Sequence, residues 1–332
     1  MKLSILDQSP ISEGSSAEAA LKQTIELAKY AEALGYERFW VSEHHFSKSL
    51  AGSSPEVLVG AIAAQTKTIR VGSGGVMLQH YSPYKVAENF RVLEGLFPGR
   101  IDLGIGRAPG GMPISSMALQ ESKRRRVDID PEQLDDLVAY LYDLADENHR
   151  YPNLTAAPHI QSAPELWMLG SSGKSAQTAA RLGASYTFAL FINGEGGEEA
   201  VRSYKKKFTS TVAGQKAKAA VAVFVLCAET EKEAENLAVC LDFALLANEQ
   251  GMLRNGFPSL KTALSYSYSQ LEKARVEENR KRMVVGDPQS VKKQLHAIAN
   301  AYETDELMIV TITHNFQDKL NSYRLLADVI LN

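Results

Sequence analysis

Glu43, His44 and His45 stand side by side at the end of a short apolar run, Phe39, Trp40 and Val41. A carboxylate beside two imidazoles can move protons near neutral pH, where histidine titrates without help from its surroundings. Metal binding is the other use of such residues. Neighbouring side chains on a strand point to opposite faces, however, so His44 and His45 cannot both chelate from a flat strand. The chain has no HExxH, and no HxH lies on its first expected strand, so no metal centre is expected. If the apolar run is a strand of an α/β barrel, its carboxyl end lies on the face that carries chemistry, and at most one histidine looks into the barrel mouth. A plainer use of the pair is to tie down a loop.

Three further stretches bear on what such a mouth would hold. Gly72-Ser-Gly-Gly75 thins a strand, which usually means that something approaches the backbone closely. Gly104-Ile-Gly106 begins like a dinucleotide fingerprint, but Pro109 occupies the place of the third glycine, so that reading fails. Arg107, directly after that strand, is better read as a charge clamp for a phosphate, with an ordinary salt bridge as the alternative. Gly170-Ser-Ser-Gly-Lys-Ser175 joins a strand to a helix, where amides and hydroxyls can cradle phosphate or simply cap the helix. It is not a Walker A loop, because Met168 stands where the first glycine would be. A histidine at the mouth, a glycine-thinned wall, an arginine and a Ser/Gly turn together describe a pocket for a planar cofactor with a phosphate tail. No lysine placed for a Schiff base is evident.

The elements that must position these residues alternate regularly. Strands are expected at 3–6, 38–42, 69–78, 100–106, 166–170, 185–191, 219–227 and 306–312. Helices are expected at 17–34, 55–67, 83–97, 131–147, 176–182, 198–210, 232–248, 288–301 and 317–331. Ser15 and Glu18 have capping-box spacing before the first helix. Strand–helix alternation demands a parallel sheet with right-handed crossovers, and eight units close into a (β/α)8 TIM barrel. No composition break divides the 332 residues, so one domain over 1–332 is expected. Segments 111–131 and 250–282 read as insertions in βα loops, where lids and binding loops occur.

Composition narrows the partners. A net charge of −3 and 45% hydrophobic content suit a globular enzyme and argue against nucleic-acid or membrane-surface binding. Cys227 and Cys240 have no metal or disulfide spacing. The amino terminus lacks a signal-peptide pattern, and no run is long enough to span a bilayer. A reducing cytoplasm is the expected location.

The spaced stretches SEHHF (42–46), IRVGSGGVMLQHYSP (69–83), FPGRIDLGIGRAPGG (97–111), GSSGKSAQTAARLG (170–183) and VVGDP (284–288) resemble those of the bacterial-luciferase-like flavin-dependent monooxygenases, along essentially the whole chain. The resemblance implies a usually homodimeric barrel that binds reduced FMN, supplied by a separate flavin reductase. It implies reaction with O2 through a C4a-hydroperoxyflavin to oxidise a small organic substrate. His44 would be the active-site histidine, with Glu43 orienting a histidine or joining the mouth network. Gly74 and Gly75 would underlie the isoalloxazine, the pair often being joined by a cis peptide. Arg107, Arg125 (within the run 124–126), Ser171, Ser172 and Ser175 would hold the FMN phosphate, and 250–282 would supply a mobile lid. Luciferase α-subunits place a cysteine where this chain has Gly106 and an aromatic near Gly110, so light emission is not implied. Two alternatives share the barrel: F420-dependent hydride transfer, and flavin binding without catalysis.

Overall fold

Eight parallel strands close into a barrel in the computed structural model, in which residues 1–106, 113–121, 128–212, 215–252 and 255–332 are described. The strands are β1 (Lys2–Asp7), β2 (Arg38–Val41), β3 (Arg70–Ser73), β4 (Ile101–Ile105), β5 (Glu165–Gly170), β6 (Ser185–Ala189), β7 (Ala219–Cys227), β8 (Met283–Gly286) and β9 (Glu306–Val310). Neighbours pair in chain order from β1 to β7; β9 then pairs with β7 on one side and β1 on the other, closing the ring. The helices are α1 (Ala17–Ala33), α2 (Pro55–Ala63), α3 (Pro83–Leu96), α4 (Pro113–Leu119), α5 (Pro131–Leu141), α6 (Gly173–Leu182), α7 (Gly197–Lys207), α8 (Glu231–Glu249), α9 (Leu260–Ser265), α10 (Gln270–Arg280), α11 (Pro288–Ala301) and α12 (Phe316–Ile330). The expected barrel is present. None of the described helices is long and apolar enough to cross a membrane.

Strand alternation sorts the core into two layers. Leu3, Ile5, Phe39, Val41, Val71, Leu103 and Ile105 face the helices. Leu6, Trp40, Trp167, Ala220, Ala222 and Met308 fill the barrel interior, where the two indoles meet edge to face with centroids 5.2 Å apart. The amino-terminal floor is charged. Arg38 donates from Nε to Glu306 (2.6 Å) and from Nη1 to Asp102 (2.7 Å), and its guanidinium lies 4.6 Å from the Trp167 ring centroid. Arg70 and the Trp40 indole N–H also donate to Asp102.

Several elements differ from their sequence-based expectations. The third strand stops at Ser73: the Gly74–Gly75 peptide is cis, Val76 makes only an isolated bridge to Ile105, and Leu78–His80 forms one 3-10 turn. The α1 cap is Ser16 rather than Ser15, since its Oγ accepts the Ala19 amide. Segment 250–282 carries two helices, α9 and α10, and is followed by an unexpected strand, β8. Phe224 pairs with Val310 on one side and Met283 on the other, so β8 extends the sheet beyond the end of β6, whose ladder with β7 stops at Ala189.

Candidate active site

β2 ends at Val41, and the polar cluster follows directly. Trp40 points into the barrel and Val41 outward, and extending that alternation puts Ser42 and His44 on the inner side and Glu43 and His45 on the outer, in agreement with the Ser42–His44 and Glu43–His45 contacts. His44 is therefore the histidine that continues the interior row at the carboxyl end. Its amide donates to the Gly52 carbonyl at 2.8 Å, and its Nδ1 lies 3.0 Å from Ser42 Oγ. Burial pushes its pKa down to about 4; the Glu43 charge opposes this and His45 reinforces it.

That value has a consequence for stability. Above the ordinary 6.5 both folded and unfolded His44 are neutral; between 6.5 and about 4 the unfolded chain takes up a proton that the folded chain refuses. The contribution is full above pH 6.5 and is lost as pH falls toward 4. A His44→Gln variant is expected to lose less thermal stability than the parent over that window, measured as the difference in Tm at pH 7 and pH 4.5.

Glu43 does different work from that of a partner to His44. It is 2% exposed, and its Oε2 accepts the Met77 amide (2.9 Å) while Oε1 accepts from Tyr81 Oη (2.7 Å) and His45 Nε2 (2.7 Å). Three donors hold the carboxylate and tie the end of β2 to the segment that follows the β3 glycines. Burial and the Glu43 charge push the Tyr81 phenol up, so it remains a donor. Of the two histidines, Glu43 orients His45, on the outer side.

The wall next to β2 is made of glycine. Gly72 and Gly74 on the β3 side and Gly104 and Gly106 on the β4 side all take inward positions. Their reasons differ along the barrel axis. A Cβ on Gly72 or Gly74 would strike Asp102, Trp40 or Leu6, and one on Gly104 would overlap the Ser73 carbonyl, so the molecule itself fills that depth. At Gly106 a Cβ would meet no described atom nearer than 3.7 Å. Among the described residues, space bare of side chains begins there.

The Ser/Gly turn after β5 proves to be the first turn of α6. Ser172 is its N-cap residue, without a side-chain cap bond. Ser175 sits one turn on, and its Oγ donates to the Ser172 carbonyl (2.7 Å) and lies 3.2 Å from Tyr186 Oη. Its hydroxyl thus bonds inside the turn, whereas the first α6 amides lack intrahelical acceptors. Asn193 Nδ2 fixes the Ser171 carbonyl at 3.1 Å. Arg107 and Arg125 lie outside the described residues.

Segment 250–282 is tied down at both ends. Phe257 exchanges backbone hydrogen bonds with Ile11 (2.7 Å) and Glu13 (2.8 Å), and the Glu13 carboxylate accepts from Thr262 Oγ1 at 2.7 Å. Arg275 and Arg280 of α10 pair with Glu249, Glu235 and Asp242 of α8. Ser42, Met77, Tyr81 and Phe257 went unnoticed as site-building residues in the sequence. Alternation from Trp40 is the signal that could have found Ser42.

A profile described as luciferase-like monooxygenase matches residues 1–304. The Bacillus subtilis (strain 168) protein YwcH, described as uncharacterized, is 64% identical over 99% of this chain and 98% of its own. N-acetyl-S-alkylcysteine monooxygenase of the same organism is 40% identical over 100% of this chain and 98% of its own. Among solved structures, apo-MsnO8 is 40% identical with a TM-score of 0.90, covering 99% of this chain and 98% of that one. With the profile and these full-length relatives falling on the same barrel, the chain is an enzyme of the luciferase-like monooxygenase family.

Proposed function

We propose that the barrel mouth binds reduced FMN and uses it with O2 to oxygenate a small organic substrate. The observation that carries this reading is the contrast at the mouth: a neutral imidazole on the β2 side and, on the neighbouring β3 and β4, a glycine wall whose Gly106 meets no described side chain. A planar ring fits against such a wall, and its phosphate fits the amides that open α6. Gly74, Gly75 and Gly106 would support the ring, and Ser171 and Ser172 would meet the phosphate, with Arg107 and Arg125 added by the resemblance. Ser175 would act by holding the turn. Bound reduced FMN supplies two electrons to O2, chemistry that no protein side chain provides. The chain's own residues exclude water with Trp40, Leu6 and the strapped segment 250–282, and present His44 to the reacting oxygen.

The first substrate to test is an N-acetylated S-alkyl cysteine, the class in the name of the 40% identical relative. Reduced FMN would come from a separate reductase, in keeping with the incomplete Gly104-Ile-Gly106 fingerprint. A homodimer is proposed through α2 and α3, where Val57, Val92 and Leu96 are 70%, 47% and 65% exposed. A cavity of about 350 Å³ is lined by both helices with Val76, His80 and Tyr81.

Mixing the protein and photoreduced FMN with aerated buffer in a stopped-flow spectrometer tests the central claim. A long-lived absorbance distinct from both reduced and oxidised FMN supports it. Immediate return of oxidised FMN, as in free solution, overturns it and moves attention to F420. The glycine wall gives a sharper check. Gly106→Ala is expected to change stability by no more than about 0.5 kcal/mol while weakening FMN binding. Gly104→Ala is expected to cost about 1–3 kcal/mol through overpacking. Thermal unfolding and flavin-fluorescence titration read the two.

A further inference from the structure

We infer that Ser42 fixes the tautomer of His44, so that the imidazole meets the barrel mouth as an Nε2–H donor. A neutral imidazole carries one ring proton, and the hydrogen bond made by one nitrogen decides which nitrogen holds it. Ser42 Oγ lies 3.0 Å from His44 Nδ1, and Ser42 is 5% exposed. Among the described residues its hydroxyl makes no other hydrogen bond. A buried hydroxyl proton needs an acceptor, and here the Nδ1 lone pair is the one within reach. The other tautomer would aim the ring proton at Oγ and strand the proton of the hydroxyl. Ser42 therefore donates, Nδ1 is bare, and the ring proton sits on Nε2. That nitrogen has no partner among the described residues and stands at the end of the ring away from Ser42.

The assignment separates two roles that a histidine at this place could play. A general base needs a bare nitrogen facing the reactant; a hydrogen-bond donor needs the opposite. With Nε2 protonated, His44 offers a proton to an electron-rich oxygen at the mouth and cannot remove one without first losing its bond from Ser42. Ser42 is a positioning residue that acts through His44. The use of this donor in oxygenation rests on the flavin reading above, but the tautomer does not.

Histidine-15N-labelled protein without cofactor tests it directly, through long-range 1H–15N correlation spectra at pH 7, where a protonated ring nitrogen resonates far upfield of a bare one. His44 signals are assigned by their absence in His44→Gln. The expected result is bare Nδ1 and protonated Nε2 in the parent and in Ser42→Thr, which keeps the hydroxyl, and averaged signals in Ser42→Ala. Protonated Nδ1 in the parent overturns the inference, as does a Ser42→Ala spectrum identical to the parent's. The parent spectrum decides even if Ser42→Ala does not fold. If the tautomer is as expected and FMN does not bind, the flavin reading fails alone.

Discussion

His44→Ala is expected to bind FMN and to lose substrate oxygenation by roughly 10²–10³-fold, the usual cost of removing one preorganised donor from a developing negative charge. Oxygen uptake should continue, released as hydrogen peroxide rather than transferred to substrate. The size of the effect follows from where the ring sits: on the interior side of β2, neutral, and held at Nδ1 by Ser42. A dry site makes such a bond worth more than it would be in water. His44→Gln restores an N–H group and should recover part of the loss, which a residue acting as a base would not allow. Coupled turnover, read as product formed per O2 consumed, distinguishes these outcomes. Unchanged coupling in His44→Ala would remove His44 from the chemistry.

Asp102→Ala is expected to lower the stability of the fold by about 3–5 kcal/mol, the range for taking one partner from a buried ion pair. Asp102 is fully buried on β4, and it receives Arg38, Arg70 and the Trp40 indole. Burial alone would raise its pKa; the Arg38 and Arg70 guanidiniums overcome that and hold it below the ordinary 3.8. Its contribution is accordingly present above 3.8 and is lost as pH falls through the lowered folded value. Alanine leaves Arg38, itself 3% exposed, with Glu306 as the carboxylate it still hydrogen-bonds among the described residues. Urea or thermal unfolding measures the loss. A fall of less than 1 kcal/mol would mean that water reaches the floor of the barrel and replaces the carboxylate.

The barrel was readable because its signal repeats: apolar strand, helix stop, next strand, eight times over. The candidate histidine was readable only as one of a pair, and extending the alternation from Trp40 favours His44. Other features carry no periodic signature. Arg38 and Glu306 each open a strand and Asp102 is the second residue of its own, where a charge ordinarily meets solvent; that they converge inside the barrel follows from closure, which joins β2, β4 and β9 across the interior. β8 is four residues long and follows the charged α10, so it had too few alternations to be read as a strand. Ser175 matched a phosphate turn by type; that its hydroxyl bonds to the Ser172 carbonyl and lies beside Tyr186 Oη is a matter of turn geometry and tertiary contact, which type alone does not show. In α10 the Ser269–Glu272 capping box was present in the sequence and was passed over among the surrounding charges.

The ring is sealed by its last strand, and this orders events when the chain is made. β1 pairs with β9, and Ser4 and Arg38 both reach Glu306, 302 and 268 residues further on. At roughly 5–20 residues per second, Arg38 waits on the order of tens of seconds after its own synthesis for that carboxylate. Until then the nascent sheet has two open edges and a cation facing its hollow side, a form that invites chaperones or pairing with other chains. A ribosome stalled before residue 306 would therefore hold an open sheet, and release of the final stretch would convert it into a closed wall in one cooperative step.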